Sequence, residues 1–389
     1  MRKILVLNYF PTVHPPISGG TIRYFSLYQE LSRYYDVTLL SQTDCRKGGV
    51  FRYSPTFREY KIEKDPMYEQ IREQLHIDAN DYEHYLIIHM EAARHSTRYT
   101  HHFEQLHGKS DIIIHESPYF VEHDRHLGSD SKLRIYNSHN HEYALANRIW
   151  KGRLARNYLS ILYELEKKLV LCSDLIFSTS HEERNSFTAM YCADSRKVKL
   201  APNGVTPKAW LTRQRRSTNL YSALFIGSDY PPNLEAATYI VHQLAVLCPH
   251  ITFLIAGRCC NALSCEMAPN IKLIGRVSHH HKVKLFAKVD LAINPMQTGA
   301  GVNLKTLEYL SAGIPLLATH YGVRGLELID GEHYIHAERN DFADKLLACL
   351  RDELILQEIS VRGQTHINEH YSWSSIVRNM QEEIERVLR

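Results

Sequence analysis

The stretch from Asn294 to Thr319, NPMQTGAGVNLKTLEYLSAGIPLLAT, constrains the chain more than any other. A mostly apolar run, Val289 to Pro295, leads into it and reads as a strand buried on both faces. A loop with Gly299, Ala300 and Gly301 follows. Leu304, Leu307, Leu310 and Ala312 then recur at helical spacing. Gly313 suits the end of that helix, and Pro315 opens a second strand that runs to Thr319. Strand, glycine loop, helix and strand form a βαβ unit with room for a phosphate at the helix N-terminus. Glycines let backbone N–H groups approach an anion, and the helix dipole favours negative charge there. Val302, Asn303 and Leu304 form the entry to the helix. Lys305 and Glu308 project from one face of its first turn. An ammonium suits a diphosphate, and a carboxylate can accept from the paired hydroxyls of a ribose. The same spacing also fits an ordinary βαβ turn carrying a surface lysine and a surface glutamate.

The segment GAGVNLKTLEYLSAGIPLLAT resembles the donor-binding motif of the retaining GT-B glycosyltransferases, the family-4-like group 1 transferases. Members of that family usually carry two glutamates separated by seven residues. The first lies near the donor sugar and the second on the ribose. Glu308 matches the second, whereas Ala300 stands at the first. A sub-group with a Gly-rich GxG, a Lys and a Leu-Glu version shows the same loss, and this sequence is closer to that sub-group. The resemblance implies an α/β fold of two Rossmann-like domains facing a deep cleft, with a C-terminal helix crossing back to the N-terminal domain. It is strong over 223–325, weaker over 1–41 and 134–205, and absent over 45–110.

Composition bounds the alternatives. A chain of 389 residues is long enough for two or three domains, each with its own core. Charged residues are 23% and the formal net charge is only +3, so neither disorder nor nucleic acid binding is expected. No run approaches the roughly 20 apolar residues of a membrane span. Met1-Arg2-Lys3 leads into a strand and not a signal peptide, so a cytoplasmic location is expected. The eight cysteines form no CxxC pair, which disfavours zinc and points to free thiols in a reducing compartment. His101-His102 and His279 to His281 read as solvated runs, because neighbours in sequence point in different directions.

Taken in order, Ile4 to Asn8 reads as a buried strand, followed by PTVHPPISGG and a helix from Thr21 to Leu31. Val37 to Ser41 is the next strand, and this β–loop–helix–β opening starts a doubly wound domain. Gly19 and Gly20 lie in the loop after strand one, where such sheets bind ligands. In the resembled family a GG loop here faces the cleft near the donor phosphates and the acceptor. Residues 45–110 are polar and tyrosine-rich, with helical patches at Tyr68 to Leu75 and Tyr85 to His95. Asp111 to His115 and Arg134 to Ser138 are strands, and the second runs into SHNHE. His139, at that strand's carboxyl end, can donate to a sugar hydroxyl or a phosphate. It matches the family's cleft histidine in the pattern H-(D/N)-x-E, and the plain alternative is a structural histidine.

Ala144 to Leu159 is basic and amphipathic, with Arg148, Lys151, Arg153 and Arg156 set among Ile149, Trp150, Leu154 and Tyr158. It reads either as a solvated helix face or as peripheral contact with the inner face of an anionic membrane. Tyr163 to Cys172 is a helix, and Leu175 to Ser178 a strand. Ser180 with Glu183 has the signature of a capping box. PNGV at 202–205 and the polar run Arg213 to Asn219 mark a boundary. This gives an acceptor domain of 1–205, completed by a helix at about 374–389, and a donor domain of 206–373.

The second half restarts the pattern with a strand from Ala223 to Gly227. The family often carries an Arg and a Lys in the following loop and helix, where Ser228, Asp229 and Asn233 stand here. Two phosphates bring about two negative charges that need partners once desolvated. Lys305 leads as that partner, followed by Arg258 and Arg276. Gly322 to Leu326 is a loop that in the family lies over the nucleotide.

The resemblance thus implies transfer of a hexose-type sugar from a nucleoside diphosphate sugar to a hydroxyl of a glycan or lipid-linked acceptor, of surface polysaccharide or lipopolysaccharide type. Lys305 and the helix N-terminus would stabilise the leaving diphosphate, while His139 with Gly19 and Gly20 would shape the acceptor side. No metal or other cofactor is implied, since no Asp-x-Asp motif occurs. A non-catalytic GT-B partner that binds nucleotide, motivated by Ala300, and a nucleotide-sugar epimerase on the same fold are the alternatives.

Overall fold

The computed structural model describes residues 1–14, 19–44, 46–77, 82–127, 132–207, 210–211, 221–263, 267–299 and 302–389. Ala300, Gly301 and the polar run expected to link the two halves lie outside the described residues, the run from 212 onward.

Cα packing divides the chain into two units, one of Met1–Pro202 with Val377–Arg389 and one of Asn203–Ile376. Each is built on its own largely parallel sheet, the Rossmann-like pattern that the apolar strands imply.

The strands of the first unit are β1 Lys3–Leu7, β2 Asp36–Thr43, β3 Gly49–Ser54, β4 Phe57–Glu63, β5 Ile112–His115, β6 Leu133–Asn137, β7 Leu175–Ser178 and β8 Val198–Leu200. They lie in the order β3-β4-β2-β1-β5-β6-β7-β8, parallel throughout except for β3 against β4. Ile4, Val6, Val37, Leu39, Ile112 and Ile114 are all buried, as near-continuous apolar runs require when helices cover both faces. Each such side chain contributes about 1.5–3 kcal/mol relative to exposure.

The β3–β4 pair corrects the reading of 45–110 as helical patches alone. Its signature is disguised: the buried positions of β4 are Phe57, Glu59 and Ile62, so a carboxylate sits where alternation would place an apolar residue. Glu59 accepts from Thr12 N at 2.9 Å, Ser41 Oγ at 2.6 Å and Tyr53 OH at 2.8 Å. Those bonds offset its desolvation and tie the loop after β1 to the sheet.

The basic amphipathic stretch is also broken where one helical face was expected. One helix, Glu142–Ile149, ends before Gly152 (φ 84°), and a second runs unbroken over Arg153–Cys172. The cap at Ser180 forms, with Ser180 Oγ accepting from Glu183 N at 3.2 Å. The Glu183 carboxylate, however, reaches Thr179 N at 2.9 Å, one residue further back than the expected capping box.

The second unit holds β9 Tyr221–Ile226, β10 Ile251–Ala256, β11 Ile271–Gly275, β12 Leu291–Asn294, β13 Leu316–Ala318 and β14 Ile335–His336. Their order is β11-β10-β9-β12-β13-β14, all parallel. The helix Leu304–Ser311 lies between β12 and β13, and Gly313 (φ 69°) turns the chain after it in the left-handed region that favours glycine.

Candidate functional site

In an open parallel sheet, ligands bind at the carboxyl ends of the strands where the winding direction reverses. In the second sheet that point lies between β9 and β12. There β9 runs into Gly227 and β12 ends at Asn294.

Gly227 is required by packing. A Cβ at this position would stand 2.9 Å from Cys259 Sγ and 3.0 Å from Phe225 Cε1. Gly257 (φ 99°) allows the Gly227 carbonyl to pack against it, since a Cβ there would sit 2.1 Å from that oxygen.

Lys305 enters this edge from the first turn of the helix Leu304–Ser311. Its Nζ donates to Asn233 Oδ1 at 2.5 Å, lies 3.5 Å from Met296 Sδ, and stands 4.2 Å from the centroid of the Phe225 ring. Asn233 Nδ2 in turn donates to Ser228 Oγ at 3.0 Å. Among the described residues no carboxylate pairs with the ammonium. Burial pushes its pKa down from the ordinary 10.5 to about 7, against a smaller opposing effect of Cys259. An ammonium with an amide oxygen, a thioether and a ring, but no acid, is a cation lacking its counter-charge.

The helix N-terminus beside it has no side-chain cap, because Asn303 Nδ2 donates instead to Tyr321 O at 2.8 Å. Val302 and Leu304 pack half-buried against the core. Gly299 (φ 134°) occupies the left-handed side of backbone space, and its carbonyl accepts from Arg324 Nη1 at 2.7 Å. The loop carrying Arg324 is fastened by Thr306 Oγ1 and Asn294 Nδ2, which donate to Gly322 O at 2.6 and 3.0 Å.

Glu308, three residues further along the helix, accepts from Lys282 Nζ at 2.5 Å. Lys305 and Glu308 therefore have separate partners. Arg258 and Arg276 are exposed, with no hydrogen-bond or ion-pair partner among the described residues. Arg324 and Lys282 are the cations that spacing did not reveal. Their partners lie 25 and 26 residues away in sequence, outside any helical or strand period.

In the first sheet the winding reverses between β1 and β5. Asn8 follows β1, Glu116 follows β5, and β6 ends at Asn137, two residues before His139. His139 Nε2 pairs with Glu116 Oε2. The other carboxylate oxygen accepts from Tyr28 OH and from Asn137 Nδ2, the latter at 2.5 Å. Arg23, on the helix Gly19–Leu31, donates to Asn137 Oδ1 at 3.1 Å and to Pro202 O at 2.8 Å. Burial alone would raise the Glu116 pKa, but His139, Tyr28 and Arg23 outweigh it and hold the carboxyl below its ordinary value.

Gly19 and Gly20 open the Arg23 helix, and a Cβ on Gly20 would meet nothing within 4 Å. His141 is a satisfied structural histidine: Nδ1 meets Ser186 Oγ at 2.6 Å, Nε2 meets Tyr191 OH at 3.1 Å, and burial lowers its pKa to about 4. Burial, with Glu166 and Glu183 nearby, raises the Glu142 carboxyl to about 8, so it holds its proton at neutral pH.

Residues 221–352 match the family model described as glycosyl transferases group 1. The chain is 24% identical over 291 residues to an uncharacterized 44.6 kDa protein in the cps region of Klebsiella pneumoniae, covering 69% of this chain and 72% of that one. Among solved structures it is similar to the sucrose-phosphate synthase of Thermosynechococcus elongatus, with TM-score 0.72, 15% identity and 100% and 99% of the two chains covered. It is likewise similar to HepE of Anabaena in complex with UDP and glucose, with TM-score 0.65, 12% identity and 99% and 100% covered. The matched domain and the shared two-domain fold together support a GT-B glycosyltransferase.

Proposed function

We propose that the protein is a retaining glycosyltransferase that moves a hexose from a nucleoside diphosphate sugar to a hydroxyl of a surface-polysaccharide acceptor. The observation that carries this reading is the half-buried Lys305, whose ammonium has no acid partner among the described residues and lies beside an uncapped helix N-terminus at the switch point of the second sheet. A diphosphate supplies the missing charge. The UDP bound to HepE supports a uridine nucleotide, and the cps location of the Klebsiella relative supports the class of acceptor.

In this reading the glycosidic C1–O bond to the leaving diphosphate breaks as Lys305 and the helix N–H groups stabilise the charge that develops on it. The acceptor hydroxyl attacks from the same face, and the departing diphosphate takes its proton. His139, held by Glu116, orients the acceptor side, and Glu308 accepts from the ribose hydroxyls. No metal is invoked in these roles.

A thermal-shift screen against UDP, GDP, dTDP, ADP and CMP tests the donor, since a ligand that prefers the folded state raises Tm. Preferential stabilisation by one diphosphate, with nucleotide released from its sugar donor, is the expected result. Binding without release over long incubation would favour the non-catalytic reading that Ala300 motivates. A new sugar formed without any acceptor would favour the epimerase.

Arg148, Lys151, Arg153 and Arg156 are all exposed, beside an Ile149 that is 40% exposed. A lipid-linked acceptor fits this surface. Co-sedimentation with vesicles rich in anionic lipid should exceed that with neutral vesicles and fall with added salt.

A further inference from the structure

The outer face of the first sheet's carboxyl edge carries a second feature that the donor chemistry does not use. Asn8 and Phe10 follow β1 two residues apart, and the Phe10 ring reaches both the Tyr24 ring (5.5 Å between centroids, edge-on) and the His139 ring (5.9 Å). Tyr9, between them in sequence, meets Phe10 edge-on at 5.0 Å. Tyr9, Phe10 and His139 are all partly exposed, so they present aromatic surface next to the histidine of the candidate site.

Beneath them two polar atoms are buried without a partner among the described residues. Asn8 Nδ2 and the Tyr24 hydroxyl belong to side chains that are 0% exposed. Orphaned buried donors beside partly exposed rings are groups that a hydroxyl-bearing ligand, or the water it displaces, would satisfy. The cations at this edge are already engaged. Arg23 donates to Asn137 and Pro202, and Lys61 donates to Thr12 O at 2.8 Å and stands 3.5 Å from Glu59. Among the described residues the surface thus offers ring faces and neutral hydrogen-bonding groups, with Arg23 and Lys61 both engaged.

We infer that Phe10, flanked by Tyr9 and His139, is a platform for a neutral pyranose ring of the acceptor, with Asn8 and Tyr24 as its hydrogen-bonding floor. An aromatic face attracts the positively polarised C–H groups of a sugar ring, and buried donors that lack partners select a ligand rich in hydroxyls. The inference rests on the transferase reading, because it names the kind of acceptor that the same reaction would use.

Saturation-transfer difference NMR on the full chain tests it. The probes are methyl α-glucopyranoside, methyl α-galactopyranoside and methyl α-mannopyranoside, with glycerol phosphate as the sugar-free comparison. At least one hexoside should receive saturation at its ring protons, and glycerol phosphate should not. Phe10→Leu keeps an apolar group against Tyr24 but removes the ring face, and should weaken hexoside binding about tenfold. Phe10→Trp should retain it. Nucleotide-induced stabilisation should be equal in all three proteins, which also shows that each is folded.

Absence of any hexoside signal from wild-type protein that binds nucleotide would overturn the platform. So would equal hexoside signals in wild type and Phe10→Leu, or a preference for glycerol phosphate. Hexoside binding in a protein that neither binds nor releases any nucleotide would leave the platform standing and remove the transferase reading instead.

Discussion

At the carboxyl edge of the second sheet an ammonium stands half-buried with no acid among the described residues; at the same edge of the first sheet a buried carboxylate accepts two hydrogen bonds on one oxygen and faces a histidine with the other. Lys305 has Asn233, Met296 and Phe225 around it. Glu116 has Tyr28, Asn137 and His139, and behind them Arg23. Both lie where a parallel sheet reverses its winding, so backbone topology gives each the same opening. Side chains decide what enters. An edge that leaves a positive charge uncompensated recruits an anion, whereas one neutralised from within can hold and orient an uncharged group.

The largest effect should come from breaking the neutralised edge. Glu116→Ala strips the acceptor from Tyr28, Asn137 and His139 at once and takes from Arg23 the strongest of the carboxylates that act on it, leaving the weaker effect of Glu183. We expect a loss of about 3–5 kcal/mol in denaturant unfolding. A loss below about 1 kcal/mol would mean that the network does not hold the edge together.

Lys305→Ala should behave in the opposite sense. Donor binding or turnover should fall roughly a hundredfold, about 2.7 kcal/mol. The unliganded protein should become more stable, because a desolvated charge is gone. Unchanged donor affinity and rate would remove Lys305 from the site, and a lower Tm would show that its ammonium is not strained by burial.

The depressed Lys305 pKa gives that contrast a pH signature. With the folded group near 7 and the unfolded one near 10.5, the unfolded chain binds more protons between those values. Stability of the unliganded wild type should therefore rise with pH across that window, a slope that Lys305→Met should lack. A bound diphosphate favours the charged form, so binding takes up a proton. Nucleotide affinity should then fall about fivefold from pH 7 to pH 8. Flat affinity across that unit would contradict the linkage.

Smallest of all should be Glu308→Ala, which removes the acceptor proposed for the ribose and frees Lys282. A roughly fourfold weaker nucleotide Kd with Tm unchanged is expected. Identical thermal shifts with UDP and GDP in mutant and wild type would place Glu308 outside the pocket.

Periodicity exposed the elements whose physics is local. The apolar runs of β1, β5, β9 and β12, and the loop–helix–strand after β12, were legible because burial on both faces leaves a continuous apolar signature. The β3–β4 pair was hidden by a buried glutamate held by four side chains and a backbone N–H. Lys305 could be singled out from its place behind a glycine loop. Its partner Asn233 is 72 residues away, and nothing in either segment announces the pairing. The same holds for Arg324 with Gly299 and for Glu116 with His139, which meet only because neighbouring strands or loops end side by side. Arg23 reads as an ordinary helix residue, yet it is 2% exposed and anchors a network spanning four segments.

The closing helix, Trp373–Val387, has a consequence for biosynthesis. From Val377 onward the chain is packed with the first unit. Glu385 accepts from Arg2 Nη1 and from Tyr35 OH, both at 2.8 Å, and Glu383 lies 3.3 Å from Lys199 Nζ. On a ribosome, the opening 202 residues would emerge and begin to collapse long before these acids exist. Arg2 and Tyr35, 383 and 350 residues from Glu385, must wait for the chain between to be polymerised before meeting their partner, so of the two units the one begun first is finished second.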